Sequence, residues 1–296
     1  MFIATVVILA GSLSGCGGPQ RQAVPPSYPV IRVHIAPNAG LSELPLTIAQ
    51  KLGFLAHEHV QVQWRPANES GVDIGPAGSA WPLVGYLSIR PDLILVAPNP
   101  DPAFRLRSLD HLPLAASQAT ASERSLAEKI LAMHHAHLSH WSVMPTNMIE
   151  QLWSHHHLPW VLVNLGQAQR LKTIDPSTVV LAWLGASTGP IPNWGITVKR
   201  PNIPIVQFLS ALNLALWYLH TTSPKTLAQK LSGNQPNPVL ARLIRKAQRY
   251  QYWPLTTLPD APTYNRRRTM WNPSWPSFTQ AVDTKAARQA LSESGK

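Results

Sequence analysis

Residues 31–64 read IRVHIAPNAGLSELPLTIAQKLGFLAHEHVQVQW. Ile31-Arg32-Val33-His34-Ile35 alternates with period two, as a half-buried strand does. Pro37-Asn38-Ala39-Gly40 interrupts the alternation. Between Ser42 and Leu52 the apolar residues Leu44, Leu46, Ile48, Ala49 and Leu52 fall on one helical face. Ser42 is placed to cap that helix, Pro45 is tolerated in its first turn, and Gly53 closes it. Val60-Gln61-Val62-Gln63-Trp64 then alternates again. The unit is strand, turn, helix, strand, which marks an α/β chain.

The turn at 38–43 joins the carboxyl end of a strand to the amino end of a helix. Free backbone amides there face whatever fills the adjoining crevice. An ordinary βαβ unit and a ligand site both fit this pattern. Two further segments repeat it. Asp73-Ile74 ends a strand, and Gly75 to Trp81 forms a turn predicted to lead into a helix capped by Ser79. Ser117 to Thr120 follows another strand and precedes a helix predicted over 121–135. Leu93–Ala97 reads as a buried strand, apolar throughout as central parallel strands are. Pro159–Leu165 and Val179–Leu184 read as strands, and Thr188–Val198 as a crossing that ends in one. An amphipathic helix is expected over 204–221, a second over 239–250, and a last one from about Pro276 to Leu291.

The order of these features resembles the extracytoplasmic solute-binding proteins of ABC importers, in the sulfonate, nitrate and thiamine-pyrimidine group. That family's first helix ends in a pattern like A-x-x-x-G-F-F; here it reads Ala49-Gln50-Lys51-Leu52-Gly53-Phe54-Leu55. Its G-x-x-D-hydrophobic step reads Gly71-Val72-Asp73-Ile74-Gly75. Its second-lobe opening, s-x-x-D-L-K-G-K-x-hydrophobic, is resembled by Leu106-Arg107-Ser108-Leu109-Asp110-His111-Leu112-Pro113-Leu114-Ala115-Ala116, with the Lys and Gly lost. An acidic residue and Pro, frequent in the family after a later strand, are replaced by Asn164-Leu165. A neutral amide there suits an anionic or neutral solute better than an amine.

The resemblance implies a two-lobed α/β periplasmic-binding-protein type II fold with a ligand cleft between the lobes. Residues 30–105 and 197–296 are assigned to the first lobe and 106–196 to the second. It also implies that Asn38, Ser42, Ser79, Trp81, Ser117, Thr120, Asn164 and Trp194 lie near the solute. A small anionic or heteroaromatic solute would be delivered to an ABC permease and its ATPase by hinge closure. The rival is a sensor or an enzyme of the same fold acting on a pyrimidine-type substrate.

Composition narrows the classes further. Of the 296 residues, 25 are Lys or Arg and only 14 are Asp or Glu, giving a formal net charge of +11. The bases are largely dispersed along the chain, which argues against nucleic acid as a partner. A shortage of carboxylates suits a protein facing acid, with a stability profile that stays flat to low pH. Residues 1–15 read as a lipoprotein signal peptide, too short to span a bilayer. Leu13-Ser14-Gly15-Cys16 looks like a bacterial lipobox, although the Lys/Arg start of such a signal is missing. Cys16, the sole cysteine, would carry the lipid, and 16–29 would form a tether. The expected product is an extracytoplasmic, lipid-anchored monomer.

Other clusters read less functionally. His134, His135, His137, His140, His155, His156 and His157 form a rich run, but metal sites need convergent geometry that a run does not ensure; no metal is assigned. Arg266-Arg267-Arg268 reads as a solvated or rim face. No GxSxG, P-loop, HExxH or GxGxxG is present. The pyrimidine-precursor synthases related to the family use a cysteine-rich motif that this chain lacks. No catalytic residue and no cofactor is assigned. Eleven tryptophans remain, of which Trp81 and Trp194 fall on the expected crevice turns, with Trp183 at a strand end nearby.

Overall fold

The computed structural model describes residues 28–37, 39–78, 82–200 and 203–294. Asn38, Ser79, Trp81 and Cys16 lie outside the described residues. The described residues form ten strands: β1 Val30–Ile35, β2 Gln61–Trp64, β3 Val72–Pro76, β4 Leu83–Ser88, β5 Ile94–Ala97, β6 Pro113–Ser117, β7 His140–Met144, β8 Val161–Val163, β9 Val179–Trp183 and β10 Trp194–Val198.

They build two five-stranded sheets, in the orders β2-β1-β3-β10-β4 and β7-β6-β8-β5-β9. The two orders correspond place for place. In each sheet the fourth strand is antiparallel to its neighbours and comes from the far side of a crossing: β10 runs against β3 and β4, and β5 against β8 and β9. The second sheet is built from the continuous stretch β5 to β9, and the first joins β1 to β4 with β10, which returns after the second crossing. This is the two-lobed α/β architecture expected.

The opening unit forms as its periodicity predicts. β1 pairs in parallel with β2 and β3, and Ile31 and Val33 point into the core with no exposure. A 3-10 turn, Gly40–Glu43, leads into the helix Leu44–Lys51. Gly53 follows it with φ +79°, the left-handed conformation that a Cβ disfavours.

Three expectations are corrected. Residues 83–88, expected in a helix after the turn, form β4 instead, and all six are buried. Leu83-Val84-Gly85-Tyr86-Leu87 is too short and too apolar to separate strand from helix by period alone. Its partner β10 arrives more than a hundred residues later. Next, β5 belongs to the second sheet, and antiparallel, so the chain first crosses at 89–93 rather than after 105. Finally, the last helix is broken into Phe278–Ala281 and Lys285–Ser294. At the break Val282 bridges to Leu83 and the Asp283 amide donates to the Leu83 carbonyl at 2.9 Å.

The two crossings, 89–93 and 184–193, run side by side. The amides of Ile191 and Asn193 donate to the carbonyls of Ile89 and Ser88, both at 2.9 Å. The helix Ile205–Thr221 buries Phe208, Leu209, Leu212, Leu216 and Leu219 in the main apolar core. The segment after the helix Pro238–Arg249 braces both lobes: Tyr252 and Trp253 are buried beside the crossings, and the Trp183 ring lies 4.2 Å from that of Tyr250. No helix among the described residues is long and apolar enough to cross a membrane.

Candidate functional site

A cavity of about 270 Å³ opens where the strand ends of both sheets meet the crossings. From the first lobe it is lined by Ala36, Pro37 and Ala39 after β1 and by Pro76 at the end of β3. The second lobe contributes Gln118, Thr120 and Glu123 after β6 and Asn164 after β8. The first crossing adds Asp92, the start of β10 adds Trp194, and Tyr252 closes the wall. Ligands of open α/β sheets occupy this kind of place, outside the carboxyl ends of the strands.

The sequence-derived residues divide as follows. Thr120, Asn164 and Trp194 line the cavity. Thr120 Oγ1 donates to the Ser117 carbonyl at 2.8 Å, shaping the turn. Asn164 is the cap of the helix Leu165–Ile174, its Oδ1 accepting from the Gln167 amide at 2.8 Å. Ser117 is buried behind the wall, where its Oγ accepts from Gln167 Nε2 at 2.6 Å.

Ser42 caps nothing. Glu43 precedes the helix and no side chain bonds to its first turn. Ser42 is instead fully buried and shares hydrogen bonds with Ser88 Oγ at 2.9 Å and Tyr252 OH at 2.8 Å. It holds the aromatic wall from behind. The 3-10 turn, one residue tighter per bond than an α-helix, turns this hydroxyl inward.

The residues missed by sequence reasoning are the acids. Asp92 and Glu123 are 9% and 8% exposed, and both line the cavity. Asp92 Oδ1 accepts from the Leu165 amide at 2.8 Å, tying the first crossing to a helix start of the second lobe. Burial pushes the Asp92 carboxyl up to about 7; the Leu165 amide offsets this in part and Glu123 reinforces it. Burial likewise pushes Glu123 up to about 7, against the opposing pull of Arg267 and the Asn193 amide. Glu123 Oε2 has no hydrogen-bond partner.

Arg267 faces Glu123 from the helix Ala261–Trp271 and is 1% exposed, which corrects the reading of Arg266–Arg268 as a solvated run. It donates to the Pro192 carbonyl. Its guanidinium lies 4.0 Å from the centre of the Trp271 ring and 5.6 Å from that of Trp275. Burial draws its pKa down to about 9, with Glu123 pulling the other way. Only Arg266 of the three is exposed. The stripe Tyr264, Arg267, Trp271 at helical spacing was the available signal.

Two buried carboxyls give the empty protein an unusual pH dependence. The unfolded chain protonates them near pH 4 and the folded chain near 7. Between those values the folded state holds more protons, so stability falls as pH rises, by up to a few kcal/mol. Asp110, held low by the His137 amide, and Asp175, held low by the Ser177 hydroxyl, act oppositely and only in more acid solution. Urea unfolding is expected to show a higher midpoint at pH ~5 than at pH ~8. A midpoint that rises over that interval would contradict the burial of the pair.

The histidines stay scattered. His137 and His111 flank Asp110, and His156 lies 3.6 Å from Asp175. Among the described residues no three His, Cys, Asp or Glu side chains converge on one point.

No protein-family model and no curated protein matches the chain. Solved structures do match its fold. A zinc-bound ligand-binding component of an ABC-type import system from Staphylococcus aureus is 10% identical with a TM-score of 0.65, covering 88% of this chain and 99% of its own. The alkanesulfonate-binding protein SsuA from Xanthomonas axonopodis pv. citri, bound to MOPS, is 15% identical with a TM-score of 0.58, covering 82% and 92%. The desulfurization enzyme DSZB is 10% identical with a TM-score of 0.59, covering 90% and 99%. Most of the matched structures described by function are binding proteins of importers. The fold of this chain is therefore the two-lobed α/β fold that solute-binding components of ABC importers share.

Proposed function

We propose that this chain captures a small solute between its lobes and presents it to an ABC permease with its ATPase. The observation that carries this reading is the cavity itself: residues at the strand ends of both sheets and Asp92 of the first crossing contribute to its lining. A solute touching residues of both lobes would favour one relative position of the lobes, which is how a binding event becomes a signal to a transporter. Export, lipidation at Cys16, an extracytoplasmic site of action and a monomeric state accompany this reading and rest on the amino-terminal sequence and the fold.

An enzyme of the same fold is the second reading, favoured by the similarity to DSZB. Against it, the described lining of the cleft contains no cysteine to act as nucleophile. Turnover of a captured solute by the purified protein would decide for the enzyme.

The test is capture from a cell extract of small metabolites, read by native mass spectrometry. Ala36→Trp serves as control. It fills the cavity from the end of β1 and leaves the Ala36 amide free to donate to the Ile74 carbonyl, a 2.8 Å bond. The wild-type chain is expected to carry one adduct of small-molecule mass, and the variant none. Equal adducts on both would place binding elsewhere.

A further inference from the structure

Asp92 and Glu123 reach the cavity from different parts of the chain, one from the first crossing and one from the start of a second-lobe helix. Each is more than nine-tenths buried. Asp92 uses one oxygen on the Leu165 amide, and Glu123 Oε2 accepts nothing. The described lining contains no Lys or Arg. The charged and titratable groups facing the pair are Arg267, set against Glu123, and Tyr252, whose phenol feels both carboxyls.

We propose that the cleft selects a small, flat, singly charged organic cation, of amidinium, guanidinium or protonated nitrogen-heterocycle type, held by Asp92 and Glu123 and stacked on the aromatic wall. This rests on the solute-binding reading above and names its solute class. With both carboxyls ionised and Arg267 charged, the buried site holds one net negative charge. Low-dielectric surroundings penalise such an imbalance. One positive charge on the solute removes it, whereas an anion requires both carboxyls to stay protonated. A planar cation with several N–H donors also matches carboxylate geometry and finds Trp194 and Tyr252 beside it. A divalent metal is less well served, since no third ligand of the usual types converges among the described residues. Taking up the cation ionises the carboxyls and releases protons, so affinity rises with pH around neutrality.

The test uses benzamidine, cationic throughout, and MOPS, a sulfonate, each titrated calorimetrically into the full chain at pH ~6 and pH ~8. Benzamidine is expected to bind at least about tenfold more tightly at the higher pH, as release of one or both protons requires. Asp92→Asn, which can still accept from the Leu165 amide, is expected to weaken benzamidine about tenfold. The wild-type pH comparison stands if that variant does not fold. MOPS binding without benzamidine binding would overturn the cation class and leave the cleft reading in place. Benzamidine affinity indifferent to both pH and Asp92→Asn would also overturn it. If neither probe binds, the cation class falls, and capture from extract decides separately whether the cleft binds anything.

Discussion

Replacing Arg267 with Met is expected to lower the stability of this chain by about 3–5 kcal/mol, because it leaves the buried Glu123 carboxyl without the cation that offsets its charge. The methionine covers the space of the aliphatic stem, so packing is largely kept. The charge that faces Glu123 is lost, and so is the bond to the Pro192 carbonyl, which ties the helix Ala261–Trp271 to the second crossing. The guanidinium's stacking over Trp271 goes with them. Glu123 would then stay protonated to still higher pH. Adding Glu123→Gln should recover part of the loss, because no buried charge then stands alone. Chemical denaturation of the two single variants and the double variant measures this directly. A change below about 0.5 kcal/mol for Arg267→Met would show that the residue is solvated after all.

Gly185→Ala is expected to be nearly as damaging, by about 3 kcal/mol, at the upper end of what overpacking costs. A Cβ built at Gly185 meets the Pro91 carbonyl oxygen at 2.0 Å and Trp183 Nε1 at 3.0 Å. Trp183 Nε1 already donates to that same carbonyl at 2.9 Å, and the Leu184 amide donates to Leu93 at 2.9 Å. The clash is therefore with backbone pinned on both sides, beside Asp92, and solute binding should fall along with stability. Gly53→Ala is the contrast. Its φ of +79° is left-handed but nothing lies within 4 Å of the added carbon, so only the backbone penalty of about 1–2 kcal/mol applies. Thermal unfolding of both variants ranks them; a smaller loss for Gly185→Ala than for Gly53→Ala would contradict the tight crossing.

What could be read from sequence was what is local. The β1–helix–β2 unit announces itself because its apolar spacing and its punctuation at Gly53 lie within one short window. The strands on either side of the first crossing do not. Leu83–Ser88 and Ile94–Ala97 are short apolar runs, and whether such a run is a strand, and in which sheet, depends on a partner far along the chain. Thr120, Asn164 and Trp194 were legible because strand-to-helix turns and crossings converge by topology in this class of fold.

Ser42 was misplaced because a serine before an apolar stripe fits a cap, and the sequence does not reveal the 3-10 turn that redirects it. Asp92 and Glu123 went unnoticed because each looks like an ordinary surface acid at the start of an element. With only 14 carboxylates in 296 residues, an acid abutting the apolar run Leu93–Ala97 was the one available hint. The proposed cation departs from the solute preference read from Asn164, whose Oδ1 accepts from the Gln167 amide in capping its helix.

The account stands on one solute bridging two lobes, and amide hydrogen exchange read by mass spectrometry tests this most directly. With the solute captured from extract, protection should rise together in 36–39 and 75–77 of the first lobe and in 118–123 and 164–167 of the second. The same solute should leave exchange in Ala36→Trp unchanged. Protection confined to one lobe, or centred away from these segments, would contradict a cleft that works by joining the two halves.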